Sequence, residues 1–165
     1  MSFSALDFRK TLSRFATGVA VGLTQDSKAR FYGVTLNSLT SVSLEPPLIL
    51  FCLKSTSESC FLFQESKQFS LNILSSNQSA LARRFAHKEQ KWCKEDEVTV
   101  TSYGLPKLHG CIAYLYCRLE SVMQAGDHKI FLCRVLGLET DEVDQKPLIF
   151  YHSQFGTTEI FLVED

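Results

Sequence analysis

Three stretches of this chain place polar side chains where they could do chemistry. The first runs Gly33-Val34-Thr35-Leu36-Asn37-Ser38-Leu39-Thr40-Ser41-Val42-Ser43-Leu44-Glu45-Pro46-Pro47-Leu48. Thr35, Asn37, Ser38 and Ser41 offer hydroxyls, an amide and backbone N–H groups on a loop between two strand signals. Such a set can hydrogen-bond a polar heterocycle without using charge. The same residues also suit a turn whose side chains bond their own backbone. The second stretch, Lys54-Ser55-Thr56-Ser57, follows an apolar run and precedes a helix. A cation, hydroxyls and helical N–H groups at one place suit a phosphate. An ordinary N-cap beside a solvated lysine would read the same way. The third is Gly126-Asp127-His128 at a hairpin. Imidazole titrates near neutral pH, so a histidine facing a cavity there could move a proton or contact a redox substrate. Otherwise it is a solvated turn residue.

Several other chemistries lack their residues. Neither a glycine-rich Walker pattern nor GxGxxG is present. The four histidines show no HExxH spacing and the six cysteines no CxxC pair, so no metal site is expected. Cys52, Cys111, Cys117 and Cys133 lie in apolar, strand-like runs. Free, buried thiols acting as small hydrophobes are expected, not a disulfide framework. Arg83-Arg84 near the end of a helix reads as charge matched to the helix dipole.

The elements that must position these groups are mostly strands. Ser4 and Asp7 resemble a capping box, and Phe8, Leu12 and Phe15 follow on one helical face, with Gly18 as the stop. Val19, Val21 and Leu23 alternate as a strand. A polar turn and a second strand from Phe31 follow, then a loop from Leu36 to Ser43. Leu48 to Leu53 is a continuous apolar run, read as a strand buried on both faces. A short helix before Ser66, a strand over residues 69–74, and a second helix capped by Ser76 or Asn77 come next. Residues 86–107 read as irregular, with Trp92 the one large anchor. Two long strands, 111–123 and 129–139, flank the hairpin. Residues 148–152 and 159–163 complete the pattern. Strands and helices do not alternate regularly, which argues for a closed antiparallel barrel with outer helices and against a doubly wound sheet.

Composition bounds the function. The chain has 165 residues, 45% hydrophobic and 21% charged, which fits one folded domain over 1–165. Seventeen basic residues face eighteen acidic ones, so a nucleic-acid partner is not expected. No apolar run approaches the ~20 residues of a membrane span. Met1-Ser2-Phe3-Ser4 does not open like a secretory signal, and a cytoplasmic location is expected.

Taken in order, the residues resemble the flavin reductase-like family of short-chain NAD(P)H:flavin oxidoreductases, which serve two-component monooxygenases. The resemblance rests on Phe8-Arg9 through Phe15-Ala16-Thr17-Gly18-Val19, Gly33-Val34-Thr35 with Asn37-Ser38, and Ser41-Val42-Ser43-Leu44-Glu45-Pro46-Pro47-Leu48. It continues through Phe69-Ser70-Leu71-Asn72-Ile73-Leu74, Leu81-Ala82, Phe85-Ala86, Gly126-Asp127-His128 and Pro147-Leu148-Ile149-Phe150-Tyr151.

The resemblance implies a mainly β fold with short helices, an FMN-binding split β-barrel, working as a homodimer. It implies that Thr35, Leu36, Asn37 and Ser38 hold the isoalloxazine edge. Cys52 and the turn of Lys54, Ser55 and Ser57 would take ribityl and phosphate, with Ser41 and Leu53 in the same cofactor-binding set. Phe85 and Ala86 would line the site, His128 would face the nicotinamide, and Tyr151 would close the pocket. Leu36 stands where the family often has alanine, and Phe155 where tyrosine is common. The implied activity is hydride transfer from NADH or NADPH to the N5 of FMN, with FAD possible, which would supply a separate oxygenase. The other reading is a non-catalytic or electron-carrier flavin-binding protein of the same fold.

Overall fold

Ser4 starts the first helix as its spacing predicts. Its hydroxyl accepts the Asp7 N–H at 3.2 Å and the Asp7 carboxylate accepts the Ser4 N–H at 3.0 Å, closing a capping box. The computed structural model describes residues 3–141 and 145–159. Helix α1 (Ala5–Leu12) ends at Ser13, short of Gly18. The Arg14 and Phe15 N–H groups turn back tightly onto Thr11 and Leu12, which frees Thr17 and Gly18 for a two-residue strand, β1 (Thr17–Gly18).

The other elements follow in order: β2 (Ala20–Gln25), β3 (Phe31–Leu36), β4 (Thr40–Leu44), β5 (Pro47–Lys54), α2 (Glu58–Ser66), β6 (Gln68–Ile73), α3 (Ser79–Ala86), β7 (Val98–Val100), β8 (Pro106–Leu108), β9 (Ala113–Ala125), β10 (His128–Thr140), β11 (Ile149–Tyr151) and β12 (Gln154–Gly156). The expected strand at 159–163 lies, beyond Glu159, outside the described residues.

Four expectations need correcting. The stretch from Leu36 to Ser43 is not all loop, because Thr40–Leu44 pairs with β5 as an edge strand. Its hydroxyls are tolerated there because the strand is exposed along most of its length. Strand β5 is not buried on both faces. Ile49, Phe51 and Leu53 are buried, while Leu48, Leu50 and Cys52 on the other face are only partly covered. The stretch 86–107 also contains order, namely the β7–β8 hairpin. Neither Ser76 nor Asn77 caps α3; a short 3-10 turn over Ser76–Gln78 leads into it from Ser75.

The main sheet is antiparallel, in the order β3-β2-β6-β9-β10-β5-β4. Its end strands, β3 and β4, do not pair, so the ladder does not close as expected. Even so, Val34 and Leu36 of β3 share one core with Ile49, Phe51 and Leu53 of β5, and with Phe63 of α2. The sheet therefore curls around that core like a barrel with one open seam. Phe51 lies between Phe131, stacked at 5.2 Å, and the rings of Phe63 and Phe69. This places the aromatic skew of the composition at the centre of the curl.

A second core lies on the outer side, where Val21 and Leu23 of β2 and Tyr114 and Tyr116 of β9 pack with Ala82 and Phe85 of α3 and Leu108 of β8. The middle strands β2, β6 and β9 thus lie between the two cores: β2 gives side chains to the outer one, β6 to the inner one, and β9, through Cys117, to both. Asn72 of β6 ties the layers together: its amide donates to the Val21 carbonyl and its oxygen accepts the Leu108 N–H. Gly33 allows α3 to come close, since a Cβ there would stand 2.5 Å from the Phe85 ring. All six cysteines are free thiols, as expected. Burial pushes Cys93, Cys111 and Cys117 up to about 12.

Candidate functional site

The open seam is where the polar residues gather. Between β3 and β4 the chain crosses through Asn37, Ser38 and Leu39. Beside this crossing is a cleft of about 360 Å³, walled by Thr35, Leu36, Asn37 and Ser38 on one side and by Cys52, Leu53 and Lys54 of β5 on the other. Ser57 and His128 also line it. These nine predicted site residues come from three separate parts of the sequence.

Each side chain is held by local structure. The Thr35 hydroxyl donates to the Ala82 carbonyl of α3 at 2.7 Å. The Ser38 hydroxyl accepts the Cys52 N–H at 3.0 Å, so it fastens the crossing to β5. Asn37 is exposed, and its amide bonds no other described residue, which leaves it free for a ligand. Burial raises the Cys52 thiol, so it lines the cleft as a neutral group. Ser57 caps α2, its hydroxyl accepting the Cys60 N–H at 3.2 Å and donating to the Lys54 carbonyl at 2.8 Å.

The hairpin at Gly126-Asp127 brings His128 opposite Lys54 in the β5–β10 register. Gly126 adopts φ +62°, which suits the first position of a tight hairpin turn. The Nδ1 of His128 lies 2.8 Å from the Asp127 carboxylate, and this bond is the main reason Asp127 titrates below its usual range. An ionised carboxylate only accepts, so Nδ1 carries the proton, and the Nε2 of a neutral ring is an acceptor.

Five expected residues do not line this cleft. Ser41 sits on exposed β4 opposite Ile49, beside a register shift that lies between it and Ser43. Ser55 closes the end of β5: its N–H donates to the Asp127 carbonyl at 3.0 Å and its hydroxyl accepts from Gln124 at 2.8 Å. Phe85 is fully buried in the outer core, and Ala86 is the exposed last residue of α3. Tyr151 lies at the exposed end of β11, in a separate depression with Ala16 and Phe155.

Conversely, Val34, Ser59 and Lys91 line the cleft and were not singled out from the sequence. Trp92 marked Lys91's surroundings as anchored, but nothing local revealed what the anchor touched.

A second groove, about 700 Å³, adjoins the cleft at Asn37 and Ser38. Phe8, Leu12 and Phe15 and, from β11, Phe150 give it apolar walls. The polar loop therefore stands between a hydroxyl-rich, cationic cleft and a groove suited to flat apolar rings.

A family model described as flavin reductase like domain matches residues 12–159. A flavin reductase of Pseudomonas putida is 33% identical over 156 residues, covering 93% of this chain and 91% of that protein. The NADH-dependent flavin reductase StyB of Pseudomonas fluorescens is 32% identical over 149 residues, covering 90% of this chain and 86% of that one. Among solved structures, flavin reductase PheA2 superposes with a TM-score of 0.87 at 30% identity, over 96% of this chain and 100% of the other. The styrene monooxygenase flavin reductase of Pseudomonas putida S12 gives 0.85 at 30%, over 94% and 99%. The chain belongs to the flavin reductase-like family and is an oxidoreductase of the flavin reductase class.

Proposed function

We propose that this enzyme oxidises NADH or NADPH to reduce FMN, and FAD less well, with both ligands meeting at the open seam. One observation carries the reading: a single cleft is lined both by an uncharged, hydrogen-bonding loop and by lysine with serine hydroxyls. That matches the two ends of a flavin mononucleotide. Bound flavin would supply the redox chemistry by accepting a hydride at N5.

The chain's own residues bind and orient. Backbone and side-chain groups of Thr35–Ser38 meet the ring edge, and Lys54 and Ser57 stand at the phosphate end. His128 offers Nε2 to the carboxamide N–H of the nicotinamide. No side-chain nucleophile is called for. Because the second groove shares Asn37 and Ser38 with the cleft, the reacting rings can be held face to face.

The enzyme works as a homodimer through α1. None of that helix's residues is buried, and Leu6, Phe8 and Leu12 are all more than half exposed, with Phe15 at 72% beyond it. Apolar surface on this scale marks an interface. Reduced flavin passes to a separate oxygenase component, a reading supported by the similarity to the styrene monooxygenase flavin reductase. Its free, reduced thiols suit the cytoplasm.

Turnover with each nicotinamide against FMN, FAD and riboflavin tests the reading. Nicotinamide oxidation that depends on added flavin, fastest with FMN, is expected; no such dependence would end it. Sedimentation at micromolar concentration is expected to give twice the chain mass.

A further inference from the structure

A hollow of about 680 Å³ is lined by α1, the turn after it and the β11–β12 hairpin. Arg9, Lys10, Ser13 and Arg14 come from the first two, His152 and Ser153 from the hairpin bend. The pieces are fastened where the His152 N–H donates to the Ser13 carbonyl at 2.7 Å. The bend is made by two non-glycine residues with positive φ, His152 at +53° and Ser153 at +62°. A bend of that hand favours asparagine and glycine, so these two side chains are kept there against strain.

The hollow is lined by three cations and an imidazole, and by no carboxylate. Of the seven arginines, Arg30, Arg84, Arg118 and Arg134 hold carboxylates, and Arg83 lies over the Phe155 ring. Arg9 and Arg14 are the two whose side chains have no partner among the described residues, and both line this hollow. Arg9 and Lys10 also suit the negative end of α1. The helix accounts for neither Arg14 nor His152, which lie beyond it.

The hollow runs on into the groove with apolar walls, since Arg9, Ser13 and Ser153 line both. That groove in turn meets the cleft at Asn37 and Ser38. Of the exposed apolar residues assigned above to the dimer contact, only Leu6 borders the hollow.

We propose that this hollow binds the phosphorylated adenosine half of the nicotinamide substrate, that Arg14 with Lys10 grips its 2′-phosphate, and that the enzyme therefore prefers NADPH to NADH. The inference rests on the flavin reading above, which holds the reacting rings at the apolar groove. A nicotinamide ring there sends the rest of its dinucleotide along the path that Arg9 marks. Arg9, at the junction, meets the pyrophosphate common to both nucleotides. Arg14 and Lys10 line the hollow and not the groove, and meet the group that NADPH alone carries. A guanidinium fork takes phosphate oxygens two at a time. These side chains are exposed, so salt weakens their hold.

The test is the ratio of kcat/KM with NADPH to that with NADH, at saturating FMN, for the parent, Arg14→Gln and Arg9→Gln. Calorimetric titration of the flavin-free protein with adenosine 2′,5′-bisphosphate and with adenosine 5′-monophosphate reads the hollow without turnover. Expected are a parental ratio above one, a ~5-fold or greater fall in that ratio for Arg14→Gln, and for Arg9→Gln a loss shared by both nucleotides. The bisphosphate should bind the parent more tightly than the monophosphate by a similar factor, and high salt should narrow the gap. A parental preference for NADH, an Arg14→Gln ratio equal to the parent's, or equal binding of the two adenosine phosphates overturns the proposal. If the parent oxidises neither nicotinamide with any flavin, the flavin reading fails, and the titration still decides for or against the hollow.

Discussion

Ser38 stands opposite Cys52, two residues beyond the last pair of the β4–β5 ladder, and its side chain takes over where the backbone pairing stops. Thr40 pairs with Leu50 and Ser41 with Ile49, so the register would bring residue 38 to residue 52. There the Ser38 hydroxyl accepts the Cys52 N–H at 3.0 Å. The chain can then leave the ladder and cross the seam to β3 without stranding a backbone donor. Asn37, next to it, is left facing the cleft.

Ser38→Ala is expected to orphan the Cys52 N–H. A buried unsatisfied donor costs about 1–3 kcal/mol, and partial exposure of this one favours the low end. Urea unfolding should show a lower midpoint at unchanged slope. Weaker binding of both FMN and riboflavin should accompany it, because the crossing loosens. A midpoint equal to the parent's would mean that water replaces the hydroxyl.

His128→Ala is expected to leave flavin affinity nearly unchanged and to lower kcat/KM for the nicotinamide ~10-fold, or roughly 1.4 kcal/mol of transition-state binding. Stopped-flow reduction of bound flavin measures this. Asp127→Asn should show a smaller loss, since it frees the ring to carry its proton on either nitrogen. Parental reduction rates in His128→Ala across the pH range would reduce the residue to a hairpin position.

Acid stability should depend on Glu97. The Arg84 guanidinium grips its carboxylate with two bonds, 2.5 and 2.7 Å, and this hydrogen bonding is the main reason Glu97 titrates below its usual 4.5. A carboxyl whose folded pKa is depressed stabilises the fold above its unfolded value. That stability is lost as pH falls through the folded one. Parent and Glu97→Gln should therefore differ in unfolding free energy at pH 7, and the difference should shrink below about pH 4.5. A difference that stays constant into acid would assign Glu97 a packing role only.

How much of this was legible in the sequence depends on the range of the contact. The capping box at Ser4 and Asp7, the Gly126 turn and the alternation in β2 are local, and all were read correctly. Ser41 and Ser55 were misplaced because their neighbours in sequence are in the cleft, and only the pairing register shows that they face away. Phe85 was read as a pocket wall, but the near contact that buries it is with Gly33, over fifty residues away. Lys91 escaped for the same reason: an irregular, polar stretch gives no sign that it will be laid along the edge of β3. Residue types could reveal the chemistry, but the most buried cation of the cleft was placed by a long-range backbone contact.

The two cores that sandwich β2, β6 and β9 have a consequence for amide hydrogen exchange. Over residues 20–24, 69–73 and 113–117 neither face of those strands is exposed, so the N–H groups there should exchange only when the whole molecule unfolds. Edge strand β4, paired on one side, and helix α1, with nothing buried beneath it, should instead open by local fluctuation. A ligand at Asn37 and Ser38 touches the borderline between these classes. At modest saturation its protection should appear first around residues 36–44, and reach the middle strands only to the extent that it raises global stability. The protein would then carry its own internal reference: slow amides that count unfolding, beside fast ones that count occupancy of the seam.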